Sequence, residues 1–491
     1  VTVDNTGLAI GRAQGFAWIE WRVTDPTTGG ASGGINIQVR EYAARVEIGP
    51  TDLRVVPEGL GFLTAMPFTE SGDPLAWGWT ATWASGDESI AVVDPFGVVR
   101  GVTEGTTSIT ATVDDASATV EITVTRVTFV DVRANGSFTC GNTTEALVFC
   151  WGENFQGELG DPVHPGGYGP RMVVGPTRVR SVTTGALHAC SLEENGTAMC
   201  WGSGSSGQLG ADGFLGSHRP SRVASDLPFR DVDAGNAHTC GITTGGVAFC
   251  WGSSAFGQLG AESVSSCSFG KGPSLPCSRI PIAVSGLGAL QVISAGGAHT
   301  CGLDLQGAAT CWGANAAGQL GLGTASDSVG SPTNVDTQLR FETISSGGSH
   351  TCAVTGAGEI HCWGNNQVGQ LGDGSRQIRT LPVAVASTER FATISAGLDH
   401  TCALTETGLA YCWGWNASGQ LGDGSGDQSP KLAPTLVAVV PALQSISAGA
   451  THSCGLGVDG VAYCWGDNLG GQLGAEAGEP SWLPIRVAGQ R

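Results

Sequence analysis

From about residue 43 to residue 125 apolar and polar residues alternate one for one, as in Ser108-Ile109-Thr110-Ala111-Thr112-Val113 and Ala118-Thr119-Val120-Glu121-Ile122-Thr123-Val124. Side chains along a strand point to opposite faces in turn, so this period of two, broken by Gly, Asp and Pro, predicts half-buried antiparallel strands. Farther along, a different text recurs with a pitch of about 50 residues, the mark of a repeat array. Its sixth copy, His400-Thr401-Cys402-Ala403-Leu404-Thr405-Glu406-Thr407-Gly408-Leu409-Ala410-Tyr411-Cys412-Trp413-Gly414, predicts a hairpin turning at Glu406-Thr407-Gly408. A three-residue loop asks for a left-handed residue at its third position, which Gly408 supplies. Counting outward, Leu404 then faces Ala410, Ala403 faces Tyr411 and Cys402 faces Cys412. The same glycine stands at Gly196, Gly246, Gly307, Gly358 and Gly460, with Ala146 the exception.

Each copy carries two cysteines at one spacing: Cys140 and Cys150, Cys190 and Cys200, Cys240 and Cys250, Cys301 and Cys311, Cys352 and Cys362, Cys402 and Cys412, Cys454 and Cys464. Trp-Gly follows, then a short loop closing on Gly-Gln-Leu-Gly, as in Gly207-Gln208-Leu209-Gly210, with Glu158 replacing the glutamine in the first copy. A variable stretch leads to Pro-x-x-Val, from Pro170 and Val173 in the first copy to Pro484 and Val487 in the last, which completes seven units over residues 127–491.

Upstream, Val3-Asp4, Gly7, Gly11, Gly15, Ile19 and Val23 recur 90 residues later as Val93-Asp94, Gly97, Gly101, Gly105, Ile109 and Val113. A fixed period of this size fits tandem β-sandwich domains. Residues 43–126 are read as one such sandwich, and residues 1–42 as the C-terminal part of a truncated copy, with the chain beginning in mid-domain. Trp83-Ala84-Ser85, Ile90-Ala91-Val92-Val93-Asp94, Gly97-Val98-Val99 and Gly105 to Ala111 resemble the bacterial Ig-like domain of the invasin/intimin type (group 2). That resemblance implies a spacer or adhesive module on an exported bacterial protein.

The words Ala-Gly-x-x-His-Thr-Cys, Cys-Trp-Gly and Gly-Gln-Leu-Gly resemble the repeat of the regulator-of-chromosome-condensation family across residues 127–491. The resemblance implies an all-β chain ending in a seven-bladed β-propeller of four-stranded blades around a central channel. The first unit begins at Phe129 with no Pro-x-x-Val before it. The ring is therefore expected to close by pairing the terminal strand at Pro484 to Val487 beside the blade begun near Phe129.

Sixteen cysteines divide into eight pairs, the eighth being Cys267 and Cys277 in an insertion of the third unit. Even numbers and cross-strand spacing predict disulfides and an oxidising compartment. Zinc is the sharper alternative, since His400 and Cys402 share a strand face opposite Cys412. The first unit argues against it, for it keeps Cys140 and Cys150 yet has Phe138 where the others have His188, His238, His299, His350, His400 and His452. No metal site is expected, and the histidines and the Trp of each Trp-Gly are read as packing inside and between blades. Asn135, standing where other units have Gly185 or Gly235, is expected in a left-handed backbone conformation.

Composition narrows the function classes. With 78 glycines and 13% charged residues in 491, the chain suits a turn-rich β protein. A net charge of -20 without a dense Lys/Arg stripe argues against nucleic acid as a partner. No run of 18 apolar residues offers a membrane span, and no charged-then-apolar leader opens the chain. No nucleophile elbow, phosphate-cradling loop, zinc-protease helix or pair of catalytic carboxylates emerges, so neither catalytic residues nor a cofactor is expected.

Function is then expected on loops where the repeats differ. Between Trp-Gly and Gly-Gln-Leu-Gly most units carry small or polar residues, but Phe155, Phe256, Trp415 and Leu469 are bulky. Units six, seven and one become neighbours in a closed ring, so Trp415, Leu469 and Phe155 are expected to share one face. A second variable set comprises Asp161 to Gly169 and the insertion Glu262 to Cys277. The leading reading is an exported, cell-surface or periplasmic binding or adhesion protein that takes a protein or glycan on these loops. Guanine-nucleotide exchange on a small GTPase, which the family resemblance implies, and an enzyme-associated module are the alternatives.

Overall fold

The computed structural model describes residues 2–3, 9–10, 15–23, 31–39, 42–76, 78–161, 167–211, 216–261, 265–267, 274–475 and 478–490, and among these there are strands and turns but no helix. The chain forms two compact units, one of Val1–Leu53 with Phe62–Thr123 and one of Arg54–Gly61 with Val124–Arg491. In the first, Gly15–Val23 pairs with Ala31–Val39, and Thr82–Ser85 pairs antiparallel with Gly105–Val113. Along Gly105–Val113 the alternation written in the sequence becomes burial of Ile109, Ala111 and Val113 between half-exposed Thr110 and Thr112.

The second unit is a seven-bladed propeller. Seven antiparallel sheets follow one another, each drawn from contiguous sequence. The sixth orders Phe391–Ala396, His400–Thr405, Ala410–Gly414 and Lys431–Leu436. The third gains a fifth strand, Ser265–Cys267, within its insertion. The first strand of every blade faces the central channel and abuts its counterpart in the next, and Phe129–Asn135 abuts Leu443–Ala448 to close the circle.

Hairpin register follows the loop chemistry. Cys402 lies opposite Cys412, Ala403 opposite Tyr411 and Leu404 opposite Ala410. Gly408 has φ +80°, the five equivalent glycines lie between +76° and +85°, and Ala146 takes the same conformation at +59°.

Two expectations are corrected. The terminal strand Ser481–Arg486 pairs inside its own blade, with Cys464 opposite Ile485, instead of beside the first blade. Contact with the ring's beginning comes after that strand, where the Val127 amide donates to the Gly489 carbonyl at 3.1 Å and Arg126 donates to Gln490 O at 2.9 Å. Side chains do the rest: Phe129 and Trp151 of the first blade are buried with Leu456, Ala462, Leu473 and Val487 of the seventh, and Val56 plugs the same cluster. The second correction concerns Asn135, which is not left-handed, nor are Gly185 and Gly235. Glycine is needed there for space, because a Cβ at Gly185 would lie 2.3 Å from the Gly235 carbonyl oxygen and 2.4 Å from His188 Cε1. The first blade has no such histidine, and its Asn135 turns its Nδ2 to donate to Thr184 O at 2.9 Å.

Candidate functional site

The recurring buried side chains bond within each blade or join it to the next. At the junction of the fifth and sixth blades the Thr401 hydroxyl donates to the Gln370 carbonyl at 2.8 Å, so its oxygen accepts from His350 Nε2 at 2.9 Å. Trp413 Nε1 donates to the same carbonyl at 3.0 Å. This network places the proton on Nε2, and His350 Nδ1 is left buried without a partner. Burial pushes the His350 pKa down to about 3, as it does for His188, His238, His400 and His452, with His299 at about 4. These rings are neutral pegs, and each reaches a hydroxyl of the following blade: Thr239, Thr300, Thr351, Thr401, Ser453 and, across the closure, Thr139.

The one junction lacking a peg shows its logic. Phe138 replaces histidine in the first blade, and the position across from it in the second blade, which would hold the hydroxyl, is Ala189; both are buried in one apolar cluster with Trp201. Donor and acceptor are lost together, so neither half of the peg and socket is left without the other.

The sixteen cysteines form eight disulfides. Within the blades Cys140 is bonded to Cys150, Cys190 to Cys200, Cys240 to Cys250, Cys301 to Cys311, Cys352 to Cys362, Cys402 to Cys412 and Cys454 to Cys464. In each of these seven the Cα atoms are 4.1 Å apart, the separation of directly opposed strand residues, and the sulfurs are buried in the inter-blade cores. The insertion pair, Cys267 with Cys277, spans 5.7 Å. Among the described residues no group of three His, Cys, Asp or Glu side chains converges on a common point.

The channel wall departs from the repeat in one sector. In blades four to seven a serine hydroxyl accepts the next blade's amide, as Ser395 does from Ala448 N at 2.9 Å. Asp233 takes this role in blade three, accepting from Ala295 N at 2.8 Å and from the Thr183 hydroxyl at 3.1 Å. Burial pushes its carboxyl pKa up to about 6, against the pull of those bonds. Arg133 occupies the position in blade one and pairs with Asp131 at 2.9 Å. Arg133, Asp231 and Asp233, with Ile344, Ile394 and Ile446, are among the residues lining a channel cavity of about 220 Å³. This sector is not legible in the sequence, because only the closed ring sets Arg133 near Asp233.

The loop residues singled out from the sequence stand out from the surface: Phe155 is 68% exposed, Leu469 74%, Phe256 46% and Trp415 37%. Three of them are set in adjoining blades of one face by the backbone. Around the rim, Leu398 N donates to Gly449 O at 3.1 Å and Ala450 N to Gly136 O at 3.3 Å, linking blades six, seven and one. Immediately outside the rim, Trp415 N donates to Asp399 O, Asp467 N to Thr451 O and Glu153 N to Ser137 O, at 2.9, 2.9 and 3.0 Å. Phe256 sits in blade three, away from this sector. Of the second variable set, residues 162–166, 262–264 and 268–273 lie outside the described residues.

The repeat that builds this ring is matched by the family model for the regulator of chromosome condensation (RCC1) repeat over residues 195–242, 245–303, 306–354, 357–404 and 407–456. The chain belongs to the RCC1-repeat family. A bacterial Ig-like domain (group 2) model matches residues 65–124 ahead of the RCC1-repeat propeller. Among curated relatives, the ultraviolet-B receptor UVR8 of Arabidopsis thaliana is 30% identical over 213 residues, 42% of this chain and 48% of that protein. The match thus spans about half the length of that relative. Among solved structures, human WBSCR16 superposes with TM-score 0.62 at 22% identity, covering 70% of this chain and 94% of that one. Prp20p of Saccharomyces cerevisiae gives TM-score 0.60 at 22% identity, covering 74% and 87%. At such identities the likeness to both is one of fold.

Proposed function

We propose that this RCC1-repeat chain is an exported or cell-surface binding protein whose propeller loops take a protein or glycan partner, and that it performs no catalysis itself. The observation that carries the reading is the division of labour in the ring. The recurring His, Trp, Cys and Gln side chains are buried and engaged within and between blades, while the bulky side chains that differ, Trp415, Leu469 and Phe155, face solvent on adjoining blades. Large exposed aromatic and aliphatic groups are the usual anchors of interfaces. Eight cysteine pairs favour an oxidising compartment, and the Ig-like segment favours export. A binding role agrees with the family: the solved Prp20p is described with its binding properties to Gsp1p and histones. The family resemblance also keeps regulation of a small GTPase as the second reading, against which the cysteine pairs speak.

The test is binding by wild type and by the triple variant Phe155→Ala, Trp415→Ala, Leu469→Ala to surface-protein extracts and to a glycan array. The expected result is loss of the retained partner in the variant, by about tenfold or more in affinity, with the melting temperature unchanged. Undiminished binding by the variant overturns the reading.

A further inference from the structure

The sector of blades six, seven and one holds three of the four bulky loop residues, Phe256 of blade three being the fourth, and it differs from the rest of its face in charge. Two positions recur on this face in every blade: the residue before the histidine, or before Phe138 in blade one, on the rim, and the residue after Trp-Gly, whose amide is bonded to it. In blades two to five they hold Leu187 and Ser203, Ala237 and Ser253, Ala298 and Ala314, and Ser349 and Asn365. In blades six, seven and one they hold Asp399 and Trp415, Thr451 and Asp467, and Ser137 and Glu153. Every charge at these positions is therefore acidic, and every acid lies beside Trp415, Leu469 or Phe155.

Two of the three acids are held by hydrogen bonds, and all three are half-exposed. Asp467 accepts from the Thr451 hydroxyl at 3.2 Å and from Leu469 N at 3.2 Å, and Asp399 accepts from Gln370 Nε2 at 3.1 Å. A Cβ on Gly470 of blade seven would touch Glu153 Cγ of blade one at 2.5 Å, so these two loops are in contact. Burial raises the Asp399 pKa, a desolvation cost to its charge that an incoming cation would offset.

We propose that the blade six, seven and one sector docks a Lys/Arg-bearing segment of a partner protein, its cationic groups meeting Glu153, Asp399 and Asp467 while its apolar parts lie on Trp415, Leu469 and Phe155. A guanidinium stacks on an indole and pairs with carboxylates at once, which an uncharged sugar does not. Because the chain as a whole is strongly acidic, attraction alone is not informative, and the charge must be shown to act from this sector. The inference rests on the loop-binding reading above and chooses between its two ligand classes.

The experiment measures binding of a fluorescent oligo-arginine peptide to the full chain and to three variants. The first is Glu153→Gln, Asp399→Asn, Asp467→Asn. The second, Asp226→Asn, Glu342→Gln, Glu406→Gln, removes equal charge elsewhere on the propeller. The third is the alanine triple of Trp415, Leu469 and Phe155. The expected result is about tenfold weaker binding for the first and third, and change within about twofold for the second. Equal loss in the first two variants, or no binding by wild type, overturns the inference. If the alanine triple alone loses a partner, or a neutral oligosaccharide binds regardless of the carboxylates, the inference fails and the loop-binding reading stands. If neither the first nor the third variant changes binding of any ligand, both fail. Glu153→Gln alone, at a half-exposed side chain, gives the same direction should the triple be unstable.

Discussion

At Ala146 the chain forces a β-carbon into the left-handed conformation that glycine holds in the six other blades. Such a backbone costs an L-residue about 1–2 kcal/mol, so Ala146→Gly is expected to stabilise the propeller by roughly 1 kcal/mol after the added freedom of the unfolded glycine is counted. Chemical denaturation of the two proteins checks it, and an unchanged or lower midpoint for the variant argues against strain at this turn. The hairpin turn and its facing pairs are legible in the sequence because both depend on neighbours within a dozen residues. Asn135 is misleading for the opposite reason. A missing glycine signals either a positive φ or a crowded Cβ, and only the next blade's carbonyl, fixed by the fold, tells which.

Between elements, the histidine peg and its hydroxyl socket behave as one device. Thr300→Ala removes the acceptor of the His238 ring and leaves a buried N–H without a partner, a loss of about 1–3 kcal/mol. Adding His238→Phe copies the natural Phe138 and Ala189 junction, and the double variant is expected to regain part of that loss. A double-mutant cycle by thermal or urea unfolding reads the coupling, and strictly additive losses would show that peg and socket act separately. From sequence the histidines can be read as structural but not paired, since the partner stands 51 to 62 residues away, and 313 away across the closure. Closure is half legible: the need to join Phe129 to the far end is plain, but a contiguous seventh blade, sealed by packing and by Val56, is a matter of three-dimensional fit.

For the whole molecule, six histidines that stay neutral in the fold but titrate near 6.5 once unfolded set the pH response. Their folded pKa values are lowered, so the unfolded chain binds more protons below about 6.5, and stability falls as the pH drops from there toward 3. Each can contribute up to about 1.4 kcal/mol per pH unit. Asp233, raised to about 6, has the opposite sign: it favours folding below 3.8 and loses that contribution as pH rises through 6. One carboxyl cannot offset six rings, and a melting temperature that holds level between pH 7 and pH 4 would contradict the neutral pegs. The candidate surface is legible only in part at this scale. Trp415, Leu469 and Phe155 announce themselves by size, whereas Asp399, Asp467 and Glu153 are ordinary surface acids until the ring sets them on adjoining blades.

The oxidising compartment proposed above rests on sulfurs joined across each hairpin. Intact-mass analysis of the protein purified from its producing cells, alkylated in denaturant without reductant, measures this directly. The expected mass shows no alkyl adduct and two hydrogens missing for each of the eight pairs. Adducts on most cysteines would contradict the oxidised ring and, with it, the proposed export of this chain.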